Sequence, residues 1–239
     1  MNAGGAVLSV EGLRAAYGQA QVLFGVDLAL RRGEVAALMG RNGAGKTTTL
    51  KTVMGLVPAT GGKVVFEGRD VTRWEPFRIA RLGLGYVPEE RRIFADLSVM
   101  ENLEVGRRPP RPGLSPWTPE RLFALFPALA PLRDRPGGRM SGGEQQMLAI
   151  ARTLMGNPRL ILLDEPSEGL APVVVEAMAQ AVLSLKAEGV AVLLAEQNLH
   201  FAGRVSDRAA VIETGRIAWR GTMAALLADE GVRRTYLAV

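Results

Sequence analysis

The sequence predicts an α/β fold in which helices flank a mostly parallel sheet, an antiparallel β part comes first, and a helical subdomain is inserted. Three observations lead to this prediction. Strand patterns follow one another without a helix in the first 40 residues, strands alternate with helices beyond Pro158, and the intervening stretch, 89–158, contains no convincing strand. Strands that alternate with helices are typical of a parallel sheet covered on both faces.

The N-terminal segment begins with strands and continues with strand–helix units. Partial alternation predicts strands at 7–17 and 22–30, and a short apolar run that ends in glycine predicts a third at 34–40. The later predicted elements of this segment are a helix from Lys46 to Met54, a strand at 62–68, a helix at 75–83 closed by Gly83, and a strand at 84–88.

The rest of the chain divides at Pro158. Before it, helical stretches at 98–106, 118–126 and 143–156 are separated in part by the proline-rich segment 107–119. After it come strands at 160–164, 190–196, 208–215 and 216–219, with a helix at 172–188 and a shorter helix after the strand at 190–196. We predict one domain over 1–239, with a core formed by 1–88 and 159–239 and a helical subdomain formed by 89–158.

Composition excludes several classes of protein. There is no cysteine, so disulfides and thiolate metal sites are excluded. We predict no secretory signal, and no uncharged apolar run approaches the roughly 20 residues that span a bilayer. The net charge of +5 is spread over scattered basic residues and aromatic residues are only 5% of the chain, so we expect a solvated arginine-rich surface and no nucleic-acid partner.

The segment GRNGAGKT, 40–47, matches G-x-x-x-x-G-K-[ST] between an apolar strand and a helix. Glycines let backbone N–H groups turn inward around phosphate, and the helix N-terminus adds partial positive charge. Lys46 would bridge the β- and γ-phosphates and the Thr47 hydroxyl would ligate Mg²⁺, whereas the alternative is a glycine-rich turn without a ligand. We therefore predict a nucleotide-binding P-loop NTPase core that uses Mg²⁺. The expected nucleotide-binding residues are Gly40, Arg41, Asn42, Gly43, Ala44, Gly45, Lys46, Thr47 and Thr48.

The segment LILLDEPSEGLAP, 160–172, carries three acids just after an apolar strand. Taken alone, these acids could simply be the solvated end of a strand. Because a P-loop enzyme needs a second strand ending in Asp and a nearby base, we expect Asp164 to ligate Mg²⁺ and Glu165 to be the general base. Glu168 is expected to be a solvated acid.

The segment MSGGEQQ, 140–146, precedes the acid-bearing strand. The phosphate loop, this segment and that strand, in this order and with a helical insertion, resemble the nucleotide-binding subunits of ABC transporters over nearly the whole chain. The resemblance implies that Ser141, Gly142 and Gly143 form a signature that contacts ATP held by a partner subunit, since such subunits close head to tail around two nucleotides. It also implies that Tyr17 stacks on adenine; a buried strand aromatic is the alternative.

Three positions differ from the general pattern of that family. Glu89 stands where Gln is usual, and its carboxylate can still ligate Mg²⁺. Gln197 stands where the switch His is usual; it keeps a hydrogen-bond donor for the γ-phosphate but does not titrate. Ala171 stands where an Asp is usual. His200, the chain's single histidine, is expected to lie inside the following helix and not to be the switch residue.

The segments YVPEERRIFADLSVMENL, SGGEQQMLAIAR, LLDEPSEGLAP and AEQNLHFA together resemble one ATPase subunit of branched-chain (hydrophobic) amino-acid importers, the LivF type. The equivalent subunit of urea or short-chain amide importers is the alternative. Two other classes are a soluble ABC-type ATPase that acts on DNA or ribosomes and a module that binds ATP without turnover. The absence of tandem cassettes, coiled coils and basic arms disfavours the first, and Glu165 disfavours the second.

The resemblance also implies the partners and the location. They are a second, non-identical ABC ATPase, two membrane permease subunits and, indirectly, an extracytoplasmic solute-binding protein, at the cytoplasmic face of the inner membrane. We further expect Ile93, Phe94 or both to stay partly exposed as a docking surface for the membrane subunits; the alternative is that they pack within the helical subdomain.

Overall fold

The computed structural model describes residues 5–113 and 115–237, so the proline-rich stretch 107–119 is described except for residue 114. Its strands lie close to the predicted positions. They are β1 (Ala6–Tyr17), β2 (Ala20–Arg31), β3 (Val35–Met39), β4 (Ala59–Phe66), β5 (Arg69–Asp70), β6 (Leu84–Val87), β7 (Leu160–Asp164), β8 (Ala191–Glu196), β9 (Arg208–Glu213) and β10 (Arg216–Thr222).

The helices also follow the predicted order. They are α1 (Lys46–Val53), α2 (Pro76–Leu82), α3 (Val99–Gly106), α4 (Pro119–Leu125), α5 (Gly142–Leu154), α6 (Pro172–Ala187), α7 (Leu199–Val205), α8 (Met223–Ala228) and α9 (Glu230–Val232), with short 3₁₀ turns at Pro127–Leu132 and Gly137–Arg139 and a π-helical turn at Arg233–Leu237. In the described part of the chain, no helix is long and apolar enough to cross a membrane.

In the part of the chain that the structure describes, the strands form two sheets. The first has the order β2-β1-β4-β5 and is antiparallel. The second has the order β10-β9-β3-β8-β7-β6 and is parallel except for the edge strand β10. This arrangement, with helices on the second sheet, confirms the predicted fold class.

The second sheet is covered on both of its faces, as the side chains of β3 illustrate. Val35, Ala37 and Met39 belong to a core cluster that includes residues of α5, α6 and α7. Leu38 points to the opposite face and belongs to a cluster that includes residues of α1 and the antiparallel sheet. Because side chains alternate along a strand, a short apolar strand between two cores has no polar position. That is why β3 is apolar throughout, and why β7 and β8 are apolar until their last residue.

Helices occupy the segment between β6 and β7, and within its described residues the only β pairing is a bridge between Ser98 and Pro136. α3 begins with a capping box, in which the side chains of Ser98 and Glu101 accept each other's backbone N–H groups. The division into a core and a helical subdomain at 89 and 158 stays a prediction.

The structure differs from the prediction in one strand boundary and in several short elements. β4 begins at Ala59, three residues early, because its first residues pair across an irregular stretch with Arg14 and Ala15 of β1. β5 has two residues, and α8 and α9 have six and three, too few for a periodic apolar pattern. α2 ends as expected at Gly83, which adopts a left-handed conformation with φ 117°.

Candidate functional site

The phosphate loop joins the end of β3 to the start of α1. Gly40 lies so close to β9 that a Cβ atom there would come within 2.5 Å of the Ile212 carbonyl oxygen, so only glycine fits. Gly45 precedes the helix in a left-handed conformation with φ 110°. The Ala44 carbonyl accepts a hydrogen bond from the Gly215 N–H at 2.9 Å. These contacts hold the loop against the central sheet while the N-terminus of α1 faces a cleft.

Lys46 is buried at the base of this loop, with 4% of its surface exposed. Its ammonium donates to the carbonyl oxygens of Gly40 at 2.8 Å and Arg41 at 3.1 Å. It also lies 3.0 Å from a carboxylate oxygen of Glu165. The predicted phosphate-binding cation and the predicted base therefore form an ion pair.

Asp164 ends β7 and is almost completely buried. One of its carboxylate oxygens accepts a hydrogen bond from Thr47 Oγ1 at 2.9 Å, and the other accepts one from the Tyr86 hydroxyl at 3.0 Å. Burial raises the pKa of Asp164, although these two hydrogen bonds act in the opposite direction. Burial, together with the Asp164 charge, also raises the pKa of Tyr86. Tyr86 was missed by the sequence analysis, since it lies inside a strand without a motif.

Glu165 adopts a left-handed conformation with φ 46°, which is uncommon for a residue with a side chain. Its N–H donates to the Ala195 carbonyl of β8 at 2.9 Å, and this bond anchors the turn after β7. Backbone outliers of this kind cluster at functional sites.

Glu168 is exposed, as expected, but it is not an isolated solvated acid. A hydrogen bond with Glu165 raises the pKa of Glu168 to about 7, and burial together with the charges of Glu165, Glu89 and Glu196 acts in the same direction. Glu168 therefore keeps its proton up to near neutral pH, a feature that the sequence analysis did not predict.

The cleft beside the loop brings together residues that are far apart in the sequence. It has a volume of about 280 Å³. Its lining consists of Val22, Asn42, Gly43, Gly45, Lys46, Thr47, Thr48, Glu89, Glu165 and Glu168. The other predicted residues lie next to the cleft. Asp164 is behind Thr47, and Gly40 and Ala44 form the back of the loop. Arg41 donates a hydrogen bond to the Thr235 carbonyl at 3.3 Å.

Gln197 does not line the cleft. It is exposed just beyond β8, and its backbone N–H donates to Glu196 at 3.0 Å. Glu196, which the sequence analysis did not single out, is 2% exposed and also accepts the N–H groups of Ser167 and Asn198. It thereby ties the turn after β7 to the turn after β8. His200 is exposed inside α7, as predicted.

The predicted signature is at the start of α5, outside this cleft. Ser141 is its exposed N-cap and forms a capping box with Glu144, whose carboxylate accepts the Ser141 N–H at 2.7 Å. Gly142 and Gly143 occupy the first turn. Tyr17, at the end of β1, is 51% exposed, which rules out the alternative of a buried strand aromatic. Ala171 is the N-cap of α6 and has no side-chain capping bond.

A second, larger depression lies between α2, α3 and α5, and we call it the apolar groove. Four apolar side chains that remain roughly half exposed line it: Leu56, Phe77, Phe94 and Val105. The charged side chains of its lining are Arg81, Arg92, Arg108 and Arg152. Ile93 instead packs against the core cluster. Of the predicted pair, Phe94 is exposed and lines the groove, whereas Ile93 is partly exposed and does not line it.

The donor set of the cleft fits a magnesium ion. In the described ranges, 5–113 and 115–237, no group of three or more His, Cys, Asp or Glu side chains is arranged to hold a metal. Mg²⁺ is commonly held by one or two protein oxygens together with phosphate oxygens and water. The hydrogen-bonded hydroxyl of Thr47 and the buried carboxylate of Asp164 supply two such oxygens on one side of the phosphate loop.

Comparison with known proteins is consistent with this geometry. Residues 23–168 match the family model described as "ABC transporter". The chain is 42% identical to the high-affinity branched-chain amino acid transport ATP-binding protein BraG of Pseudomonas aeruginosa, over 97% of this chain and 99% of that protein. It is 36% identical to the lipopolysaccharide export system ATP-binding protein LptB of Escherichia coli K12, over 97% of each chain.

Solved structures give the same result. A nucleotide-free ATP-binding cassette from an ABC transporter superposes with a TM-score of 0.81 at 30% identity, over 95% of this chain and 97% of that one. The ADP conformation of MJ1267, also an ATP-binding cassette, superposes with a TM-score of 0.80 at 30% identity, over 96% and 97%.

The chain belongs to the ABC transporter family, as an ATP-binding subunit. It is an ABC-type ATPase. ATPases of this family dimerise, pair with membrane permease subunits and are peripheral to the membrane.

Proposed function

We propose that this chain hydrolyses MgATP to energise an importer of branched-chain amino acids, as a subunit of the LivF type. The observation that carries the ATPase mechanism is the convergence of Lys46, Thr47 and Glu165 on one cleft, with Asp164 directly behind it. The observation that favours the solute is the 42% identity to a branched-chain amino-acid transport subunit over almost the full length of both chains.

Lys46 and the loop N–H groups would bind the β- and γ-phosphates of ATP. The Lys46 ammonium is now 3.0 Å from Glu165, so a bound γ-phosphate would compete with that carboxylate for the same cation. Binding would release the Glu165 carboxylate, which would then accept a proton from the attacking water. Lys46 would stabilise the charge that develops on the transferred phosphoryl group.

Thr47 and Asp164 would hold Mg²⁺, which supplies neutralisation of phosphate charge when bound. Tyr86 would keep Asp164 in place, because its hydroxyl donates to the second carboxylate oxygen. Glu89 lines the cleft and could add a third oxygen. Tyr17, exposed at the end of β1, would stack on adenine.

The site would be completed by a second chain. Ser141, Gly142 and Gly143 lie at an exposed helix N-terminus, which suits an anion, but outside the cleft of their own chain. They would therefore contact ATP bound to a partner ATPase, head to tail. We propose that this partner is non-identical, and that Gln197 faces the γ-phosphate in the assembled site.

The apolar groove would receive the membrane subunits. Contiguous exposed apolar side chains mark interaction sites, and Leu56, Phe77, Phe94 and Val105 form such a patch. We propose that a segment of each permease subunit docks there, at the cytoplasmic face of the inner membrane, and that an extracytoplasmic solute-binding protein delivers the solute.

A transport assay tests this proposal. The chain is reconstituted in liposomes with the permease subunits, the second ATPase and the solute-binding protein of the proposed transporter, and uptake of labelled leucine, isoleucine and valine is measured with ATP inside. We expect ATP-dependent uptake of these solutes. Uptake of urea or a short-chain amide in their place would support the alternative importer. The 36% identity to LptB adds one more competitor, so ATP-dependent lipopolysaccharide extraction without uptake would overturn the importer assignment.

A further inference from the structure

A separate cavity lies between the two sheets, away from the nucleotide cleft. It has a volume of about 330 Å³ and is lined by residues of β1, β2, β3, β8, β9 and β10, and we call it the inter-sheet cavity. Protein interiors are packed to near-crystalline density, so a hollow of this size between two apolar surfaces is unusual. Its volume is at the lower end of the range found for small-molecule sites.

Small side chains create the hollow. Ala36 of β3 and Ala210 of the neighbouring strand β9 line one side with their side chains, whereas Ala37 and Ala209 point to the helix-covered face of the sheet and border the cavity only through their backbone. Larger apolar side chains, among them Leu28 of β2, complete the walls. The interior of the cavity therefore suits a compact aliphatic body.

The charged side chains that line the cavity carry both signs. They are two acids, Glu11 and Asp27, and two arginines, Arg208 and Arg220. Asp27 Oδ1 accepts the Gly12 N–H at 2.6 Å, but Arg220 lies 3.9 Å from Asp27 Oδ2, beyond hydrogen-bond distance, so this second oxygen and the guanidinium keep acceptor and donor capacity for another molecule. The pair is more than a third exposed on each side, and a ligand can reach it from solvent.

We propose that the inter-sheet cavity binds a small zwitterion with an apolar body, that is, an aliphatic α-amino acid. Its carboxylate would meet Arg220, its ammonium would meet Asp27, and its side chain would enter the alanine-lined interior. Balanced charges disfavour a simple anion or cation, and apolar walls disfavour a polar amino acid. Binding at this site does not require that the transported solute be an amino acid, so this inference and the proposed function can fail separately.

The position of β3 links the cavity to the nucleotide site. Ala36 and Ala37 lie three or four residues before Gly40, and β3 runs straight into the phosphate loop. A second connection runs from β2, where the Phe24 N–H donates to Gly215, whose own N–H donates to Ala44 in the loop. We therefore infer that an occupied cavity changes the affinity for ATP, and that ATP changes the affinity for the amino acid by the same factor.

Calorimetry on the full chain tests binding directly. Leucine, isoleucine and valine are titrated up to ~10 mM, beside glutamate, isocaproate (which lacks the ammonium) and isoamylamine (which lacks the carboxylate). We expect saturable binding of the aliphatic amino acids alone. No saturable binding, or equal binding of a compound lacking one charge, would overturn the proposal.

Variants assign the binding to this cavity. Asp27→Asn and Arg220→Gln keep size and remove charge, and each should weaken leucine binding roughly tenfold or more. Ala29→Leu should fill part of the cavity and weaken it independently of charge. Arg73→Gln, exposed and outside the cavity lining, is the matched control. Unchanged leucine affinity in Asp27→Asn and Arg220→Gln would remove the site from this cavity.

The link to ATP is measured with the same samples. ATP affinity is determined with and without saturating leucine, and the expected change is at least ~5-fold, which Arg220→Gln should abolish at the same leucine concentration. None of these side chains lies in the ATP cleft, so all variants should bind ATP normally without leucine. Leucine binding that leaves ATP affinity unchanged would overturn the regulatory step.

Discussion

At the scale of single residues, the charges of Lys46 and Glu165 neutralise each other, and this ion pair determines how the site can respond to ATP. Their side chains are 3% and 9% exposed, so neither charge has full access to water. A buried cation that loses its only carboxylate partner is strongly destabilising, whereas an incoming phosphate replaces one anion by another. The ion pair therefore keeps the site ordered, and it still allows phosphate to replace Glu165 as the anion beside Lys46.

Glu165→Gln should keep ATP binding and lose hydrolysis. The amide has the shape of the carboxylate but does not accept the proton of water, so turnover should fall by roughly 10²–10⁴-fold. ATP affinity should hold or rise, because the phosphate no longer competes with a charged carboxylate for Lys46. Turnover is measured as phosphate release from a complex in which only this site is active. ATP affinity is measured by calorimetry. Glu213→Gln, an exposed acid outside the cleft, is the control, and near-normal phosphate release from Glu165→Gln would exclude Glu165 as the base.

Glu168 should make the folded chain less stable as pH rises. Its pKa is about 7 in the folded chain and near 4.5 in an unfolded one, so the folded state holds an extra proton between these values. Stability from this group is therefore complete below pH 4.5 and is lost as pH rises through 7. Glu168→Gln should raise the free energy of unfolding relative to wild type at pH 8, by an amount that shrinks toward pH 5. Urea titrations at both pH values measure this, with Glu213→Gln as control; an equal difference at both pH values would contradict the raised pKa of Glu168.

Elements, rather than single residues, build the apolar groove. Phe77 comes from α2, Val105 from α3 and Arg152 from α5, and Phe94 comes from the loop that precedes α3. The Arg152 guanidinium lies 5.0 Å from the Phe94 ring centroid, so the ring is held at the surface by a cation–π contact. Neighbouring Ile93 turns inward, where its side chain meets the position of Gly137. Two adjacent residues thus face opposite directions, Phe94 toward the groove and Ile93 toward the core.

Phe94→Ala should impair assembly and transport with little effect on folding. Its ring is about half exposed, so the free energy of unfolding should change by less than about 1 kcal/mol. Ile93→Ala should instead cost roughly 2 kcal/mol, because it removes packed methyl groups. Melting of the isolated chain and co-purification with the permease subunits separate the two effects. Leu227→Ala, an exposed apolar residue outside the groove, is the control, and a Phe94→Ala chain that melts far below wild type but still assembles would reverse the assignment.

At the scale of the whole molecule, the sequence predicted what is local and missed what depends on packing. Lys46, Thr47 and Asp164 are recognisable because a strand end, a turn and a helix start carry their chemistry in consecutive residues. Tyr86 is not, because its contact with Asp164 arises from the parallel register of β6 on β7, in which Tyr86 lies opposite Leu162. The inter-sheet cavity likewise depends on how two sheets approach each other. No periodicity within one strand encodes that distance.

The ATP site as a whole should require two different chains. The signature at Ser141 lies outside the cleft that holds Lys46 and Glu165, so in the proposed head-to-tail pair each nucleotide would need the signature of another ATPase. In the assembled transporter we expect one copy of this chain and one of a second ATPase.

Two copies of this chain, one with Ser141→Arg and one with Glu165→Gln, are co-expressed under different tags with the permease subunits and the second ATPase. Sequential purification on both tags should then recover no complex, while each tag alone recovers a complex that contains the second ATPase. A doubly tagged complex with restored ATP hydrolysis would mean that two copies of this chain share a site, because the intact Ser141 of one would complete the intact Glu165 site of the other.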